Sequence, residues 1–160
     1  MTMKAIEVEI VPFRAEHAAA FYALNRAWLD EHGLYEAADE AQLADPQGAI
    51  LDIGGALFIA ARGDEVLGTA AVVPHADGEV ELAKLTVSEH ARGLGLGRRL
   101  AEHCMTHARG MGVQRVVLVS STKLGAAVRL YESMGFTHDA PPAVLPYASA
   151  DVFMSRELQY

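Results

Sequence analysis

The sequence predicts an α/β (α+β) fold: a mixed central sheet of about seven strands flanked by about four helices. Two observations carry this. Apolar runs of strand and helix period follow one another in the order β-α-α-β-β-β-α-β-α-β-β. The middle three strands are joined by tight-turn signals and pair antiparallel, whereas the later β-α-β-α unit needs a crossover and a parallel neighbour. With 160 residues and no repeat, linker or low-complexity tract, the chain reads as one domain spanning residues 1–160.

Each element has its own signal. Ile6, Val8 and Ile10 alternate with Glu7 and Glu9, the pattern of a half-buried first strand. From Glu16 to His32 the period becomes helical, with Ala20, Leu24, Ala27 and Trp28 as the apolar stripe and Gly33 as the stop. Ala37 to Ala44 is a second helix, ended near Asp45-Pro46. Gly54-Gly55 breaks the chain before a strand at Leu57–Ala61; Arg62-Gly63-Asp64 turns it into another at Val66–Val73. Asp77-Gly78 is a hairpin signal that leads to the strand Val80–Val87. A third helix runs from Gly95 to Arg109, then come a buried strand at Val113–Val119 and a fourth helix from Gly125 to Met134, closed by Gly135. Phe136 begins an extended piece. A loop with Pro141, Pro142 and Pro146 precedes the last strand, Asp151–Ser155.

Composition narrows the function classes. A formal charge of −8 argues against a general nucleic-acid surface, although Arg92, Arg98 and Arg99 form a local basic cluster. The lone Cys104 rules out an intrachain disulfide framework and fits a reducing compartment. No run approaches the roughly 18 apolar residues of a membrane span, and the N-terminus lacks a signal-peptide block, so a cytoplasmic protein away from the membrane is the expectation.

The chemistry-bearing stretch is Arg92-Gly93-Leu94-Gly95-Leu96-Gly97, between the strand ending Leu85-Thr86-Val87 and the long amphipathic segment that begins at Arg98. Strand, glycine-rich turn and helix start form an anion cradle, because missing side chains let backbone N–H groups approach a ligand and the helix end adds partial positive charge. A dinucleotide fingerprint needs Gly-x-Gly-x-x-Gly, and the third position falls on Arg98 or Leu100. A Walker loop needs Gly-Lys-Ser/Thr, and Gly97 is followed by Arg98-Arg99. What remains is Arg-x-x-Gly-x-Gly, with a plain strand-to-helix turn as the bland alternative.

The chain resembles the GNAT superfamily of acyl-CoA-dependent N-acyltransferases. Glu81-Leu82 with Leu85-Thr86-Val87 looks like that family's fourth strand, and Arg92-x-x-Gly95-x-Gly97 matches its pyrophosphate signature. Leu130-Tyr131-Glu132-x-x-Gly135-Phe136 matches its late Leu-Tyr-Glu-x-x-Gly-Phe segment. Asn25-Arg26-Ala27-Trp28 and the tail Pro146-Tyr147 to Asp151 are similar to the acetyltransferase half of helix-turn-helix/acetyltransferase fusions, without room here for the helix-turn-helix half. Two departures stand out. Where many relatives carry a helix-start asparagine, this chain has Leu124 or Ser121, and the proline common before the signature is replaced by Glu89-His90.

The resemblance implies transfer of an acetyl group from acetyl-CoA to a primary amine by direct attack in a ternary complex, without a metal. It implies that Leu85, Thr86 and Val87 pair with the pantetheine arm, an extended strand mimic. Arg92, Gly93, Leu94, Gly95, Leu96, Gly97 and Arg98 would hold the pyrophosphate, and Ser121, Ala127 and Leu130 would add further coenzyme contacts. Tyr131 would protonate the leaving thiolate. From an ordinary phenol near pKa 10 to a thiol near 8.5 that transfer is uphill by about 2 kcal/mol in water. Glu81 would take the amine proton through water; its strand period places it on one face with Leu85 and Val87. His75 and His90, near the ends of the same strand, compete for that role. Asn25 and Trp28 would lie on the acceptor side. The acceptor is a small-molecule amine or a peptide amine, and family habit implies a homodimer through the late strands.

Other clusters read as structural. His103 and His107, spaced i, i+4 around Cys104, lack a third metal ligand and flank the stripe Leu96/Leu100/Cys104/Ala108. Asp30, Glu31, Glu36, Asp39 and Glu40 are either a solvated face or an attractor for a cationic amine. Two competing functions stay open: an acyl-CoA sensor without transfer, and a different phosphate-ligand protein, which would leave the Tyr131 segment unexplained.

Overall fold

The computed structural model describes residues 7–140 and 150–160. In chain order they form β1 (Glu9–Pro12), α1 (Ala18–Glu31), α2 (Ala37–Ala44), β2 (Ala56–Arg62), β3 (Glu65–Pro74) and β4 (Glu79–Val87). These are followed by α3 (Leu96–Gly110), β5 (Arg115–Ser120), α4 (Gly125–Ser133), β6 (Thr137–His138) and β7 (Val152–Glu157). The seven strands make one sheet in the order β1-β2-β3-β4-β5-β7-β6. β4 and β5 are parallel; every other pair is antiparallel. The predicted mixed sheet and four main helices are therefore present.

Two cores sandwich the sheet. On one face Phe58, Ala70, Val72, Val80 and Leu82 meet the α3 stripe Leu96, Leu100, Cys104 and Ala108, all four of them buried. Each of those leucines contributes about 1.5–3 kcal/mol by leaving water. On the other face Leu57, Ala71 and Val73 meet Phe21, Leu29, Leu43 and Ile50 from the α1–α2 side.

Several sequence expectations are corrected. The first strand begins at Glu9 rather than Ile6, because Glu9 pairs with Ala61 and β2 has almost no chain left beyond that point before its turn; Ile6 itself lies outside the described residues. The buried stripe of α1 is Phe21, Asn25 and Leu29, rotated from the expected Ala20, Leu24, Ala27 and Trp28. Asn25 counts as polar in the sequence, yet its amide is fully bonded inside the protein and so can be buried. A turn of wide helix at Gln47–Leu51 had no sequence signal. Pro141, Pro142, Pro146 and Tyr147 lie outside the described residues.

The most consequential correction concerns β4. Thr69 pairs with Thr86 and Ala71 with Ala83, so Lys84 and Leu85 together oppose the single residue Ala70. Lys84 takes φ +53, a left-handed conformation costing a non-glycine residue about 1–2 kcal/mol. This bulge reverses the side-chain alternation. Glu81, Ala83 and Thr86 follow Val73, Ala71 and Thr69 to the α1 face, whereas Leu85 and Val87 join the α3 core. Glu81 therefore does not share a face with Leu85 and Val87.

Candidate active site

The bulge opens the site. β4 and β5 pair only from Glu79/Arg115 to Glu81/Val117. Past Glu81 the strands diverge, and the β5-facing backbone edge of β4 has no strand partner among the described residues. A cleft of about 120 Å³ fills the gap. Its walls are β4 from Glu81 to Thr86, and, opposite, Ser120, Ser121, Leu124, Ala127 and Tyr131; Asn25, Trp28, Leu34 and Asp39 close it from the α1–α2 side.

A buried polar cluster holds the bulge. Asn25 Nδ2 donates to Phe21 O (3.0 Å) and Thr69 Oγ1 (3.1 Å), and Asn25 Oδ1 accepts from Thr86 Oγ1 (2.9 Å). Thr69 Oγ1 in turn donates to the Lys84 carbonyl (2.7 Å). Lys84 Nζ pairs with Asp39 Oδ1 at 2.7 Å, with both side chains over nine-tenths buried. The other Asp39 oxygen accepts from the Glu36 N–H (2.9 Å) at the start of α2. Two helices thus clamp the strained residue. Sequence reasoning missed the Lys84–Asp39 pair, since nothing local marks a lysine for φ above zero. Asn25 lines the cleft, but both its donors and its oxygen serve the protein.

The glycine turn follows the end of β4. Gly93 and Gly95 have φ +85 and +76, and Gly95 is the residue before the first turn of α3. Arg99 N–H is the first in α3 to reach a carbonyl, that of Gly95 (3.1 Å). The N–H groups of Leu96, Gly97 and Arg98 therefore have no acceptor within the helix. A Cβ at Gly97 would sit 3.7 Å from Leu130 and 3.9 Å from Val87, so this helix end lies between the end of β4 and α4. Leu94 packs against the α3-side core. The two arginines are occupied by protein partners: Arg92 faces Glu31 (3.6 Å), and Arg98 donates to Ser133 Oγ (2.6 Å).

Tyr131 and Glu81 reach the cleft from opposite walls. Tyr131 is buried, edge-on to Phe136, and burial raises its phenol well above the ordinary value. It is held in the proton-bearing form. Glu81 Oε1 lies 2.7 Å from His75 Nε2, and this contact raises the imidazole above its usual range. His90 instead faces Glu65 (3.1 Å) and does not line the cleft. Ser121 is buried in the β5 wall, where its Oγ accepts from Lys123 N–H (3.2 Å). The Trp28 ring meets His32 in a tilted contact, centroids 4.7 Å apart.

The remaining clusters are accounted for. His103 and His107 set their rings edge-on to Phe58 (4.5 and 5.5 Å), and burial lowers His103. Burial pushes the Cys104 thiol up to about 12, leaving it inert. Of the acidic cluster, Asp30 pairs with Arg26, Glu31 with Arg92, Asp39 with Lys84, and Glu40 accepts from Tyr22 and Tyr35. Among the described residues no helix is long and apolar enough to cross a membrane.

A parallel pair that splays beside a glycine-rich helix start leaves room between two strands for an extended, anion-tipped ligand. Residues 11–136 match the family model described as the acetyltransferase (GNAT) family. The Escherichia coli K12 protein described as uncharacterized N-acetyltransferase YjgM is 34% identical over 109 residues, 66% of this chain and 65% of that one. Rattus norvegicus N-acetyltransferase family 8 member 2 is 32% identical over 102 residues, 61% of this chain and 45% of that protein. Among solved structures, yncA of Salmonella typhimurium with its cofactor acetyl-CoA superposes with TM-score 0.73 and 25% identity, covering 96% of this chain and 95% of that one. This chain belongs to the GNAT acetyltransferase family. It spans about half the length of the mammalian relatives it matches.

Proposed function

We propose that this chain transfers an acetyl group from acetyl-CoA to a primary amine by direct attack in a ternary complex. The carrying observation is that Glu81 and Tyr131 enter one cleft from opposite walls, beside an unpaired strand edge and an open helix start. Acetyl-CoA, when bound, supplies the acyl thioester. The residues present fit it: the β5-facing edge of β4 at Leu85–Val87 offers backbone groups for the pantetheine amides, and the Gly93–Arg98 N–H groups suit the pyrophosphate. Ser121, Ala127 and Leu130 border this path from β5 and α4.

Tyr131 holds a proton at Oη, available to the departing thiolate. Its raised phenol makes donation harder than in water, but the same desolvation raises a thiol, so the gap between them need not widen. Glu81 accepts the amine proton. Trp28 supplies an apolar wall for the acceptor, which is a small-molecule amine or a peptide amine, while Asn25 shapes that side by holding the bulge. Placement in the cytoplasm and a homodimer through β6 and β7 accord with this reading.

Calorimetry with acetyl-CoA and a thiol-release assay with a panel of amines test it. Tyr131→Phe is expected to lower turnover about 10²-fold with little change in acetyl-CoA affinity. Unchanged turnover removes Tyr131 as the acid. Acetyl-CoA binding without thiol release for any amine favours a sensor.

A further inference from the structure

On the rim of the cleft, at the β3–β4 hairpin, His75 N–H donates to the Glu79 carbonyl (2.9 Å), which fixes the backbone of the residue beyond β3. Glu81, two residues further along β4, projects from the same face, so the two side chains meet diagonally across the hairpin. Their environments differ. The Glu81 side chain is 16% exposed and faces the cleft; the His75 side chain is 46% exposed and faces solvent outside it. The charged groups near the imidazole among the described residues are Glu81 and Glu79 of β4, and Glu79 is itself paired with Arg115 of β5.

We propose that His75 discharges the proton that Glu81 collects, acting through Glu81 rather than on the substrate. This rests on the transfer reading given above. A ternary complex fills the cleft, so a proton taken up by Glu81 cannot leave by the way it arrived. The N–H bond of the acceptor ammonium breaks as an O–H bond forms on the Glu81 carboxylate. That O–H then breaks as an N–H forms at Nε2 of the neutral imidazole in its Nδ1–H tautomer, the form that turns the Nε2 lone pair to Glu81 across the 2.7 Å contact. The imidazolium releases its Nδ1 proton to water, and solvent exchange restores the starting tautomer. Only the neutral ring can accept, and the Glu81 contact keeps the ring protonated to higher pH than usual. Turnover therefore rises with pH through the His75 titration.

The test compares wild type with His75→Gln, whose amide can hydrogen-bond to Glu81 but cannot carry a proton. Arginine, spermidine, tyramine and an alanyl tripeptide serve as probe acceptors, and the one turned over fastest by wild type is used for the variant. His75→Gln is expected to lose about tenfold in kcat. KM for acetyl-CoA stays within about twofold, because the coenzyme contacts are elsewhere. The rising limb of the pH profile disappears, and added imidazole restores much of the lost rate. Unchanged kcat and pH profile in His75→Gln overturn the inference and leave the transfer reading standing. So does a loss that imidazole does not restore in a variant whose acetyl-CoA affinity by calorimetry is intact. If wild type turns over none of the four amines, both fall together.

Discussion

Replacing Asn25 by alanine removes the centre of the polar cluster that holds the β4 bulge. Three hydrogen bonds go: those to Phe21 O and Thr69 Oγ1, and the one accepted from Thr86 Oγ1. They are not equal. Thr69 keeps its bond to the Lys84 carbonyl, whereas the hydroxyl of Thr86, 3% exposed, loses its acceptor. An orphaned buried donor costs about 1–3 kcal/mol, the lost contact with Thr69 about 1 kcal/mol, and the better helix propensity of alanine returns about 0.5 kcal/mol. The net loss is about 1.5–3.5 kcal/mol, a large share of the roughly 5–15 kcal/mol that stabilises a domain. In a chain of 160 residues this lowers the melting temperature by roughly 5–10 °C. Urea unfolding of Asn25→Ala, Thr86→Val and the double variant forms the cycle. The double variant should be less destabilised than the sum by about 1–2 kcal/mol, because it has no orphaned hydroxyl. A loss below about 1 kcal/mol, or strict additivity, would refute the assignment of Asn25 as the bulge anchor.

The glycine turn makes a paired prediction. Gly95→Ala should cost about 1–2 kcal/mol in urea unfolding because of its left-handed φ. Gly97→Ala, helical and with ordinary contacts to Leu130 and Val87, should gain about 0.5–1 kcal/mol. Lys84→Ala strands Asp39 as an unpaired buried charge and should cost about 3–5 kcal/mol, part of which adding Asp39→Asn recovers in the same assay. The His75–Glu81 pair gives a pH signature. The folded state raises the His75 pKa, so the pair's contribution is full below the unfolded value near 6.5 and fades as pH rises through the folded one. The difference in urea midpoint between wild type and Glu81→Gln should therefore shrink from pH 5.5 to pH 8.5; a constant difference would contradict it.

The coupling between bulge and chemistry explains why part of the site was legible and part was not. The Arg-x-x-Gly-x-Gly turn was readable because left-handed φ at Gly93 and Gly95 and an open helix start need glycine locally. Tyr131 was readable through the residues on either side of it. The face of Glu81 was not, since strand period two holds only while the ladder is regular, and a bulge on Lys84 carries no glycine or asparagine to announce it. The burial of Asn25 was hidden for a related reason. A polar side chain can enter a core when its partners converge on it, and those partners, Thr69 and Thr86, are 44 and 61 residues away in sequence. The pairing of the acidic cluster with Arg26, Arg92 and Lys84 was likewise undetermined until the helices docked.

By itself the sequence determined the fold class, the order of the elements, the glycine turn before α3 and the motif around Tyr131 in the late helix. These depend on periodicity, turn chemistry and short motifs, which act over a few residues. Tertiary structure alone decided where β4 leaves β5, which face carries Glu81, that Asn25 serves the protein's interior, and that His75 meets Glu81. Each of these depends on a contact between residues on different elements, and in β4 one extra residue is enough to exchange the two faces of a strand.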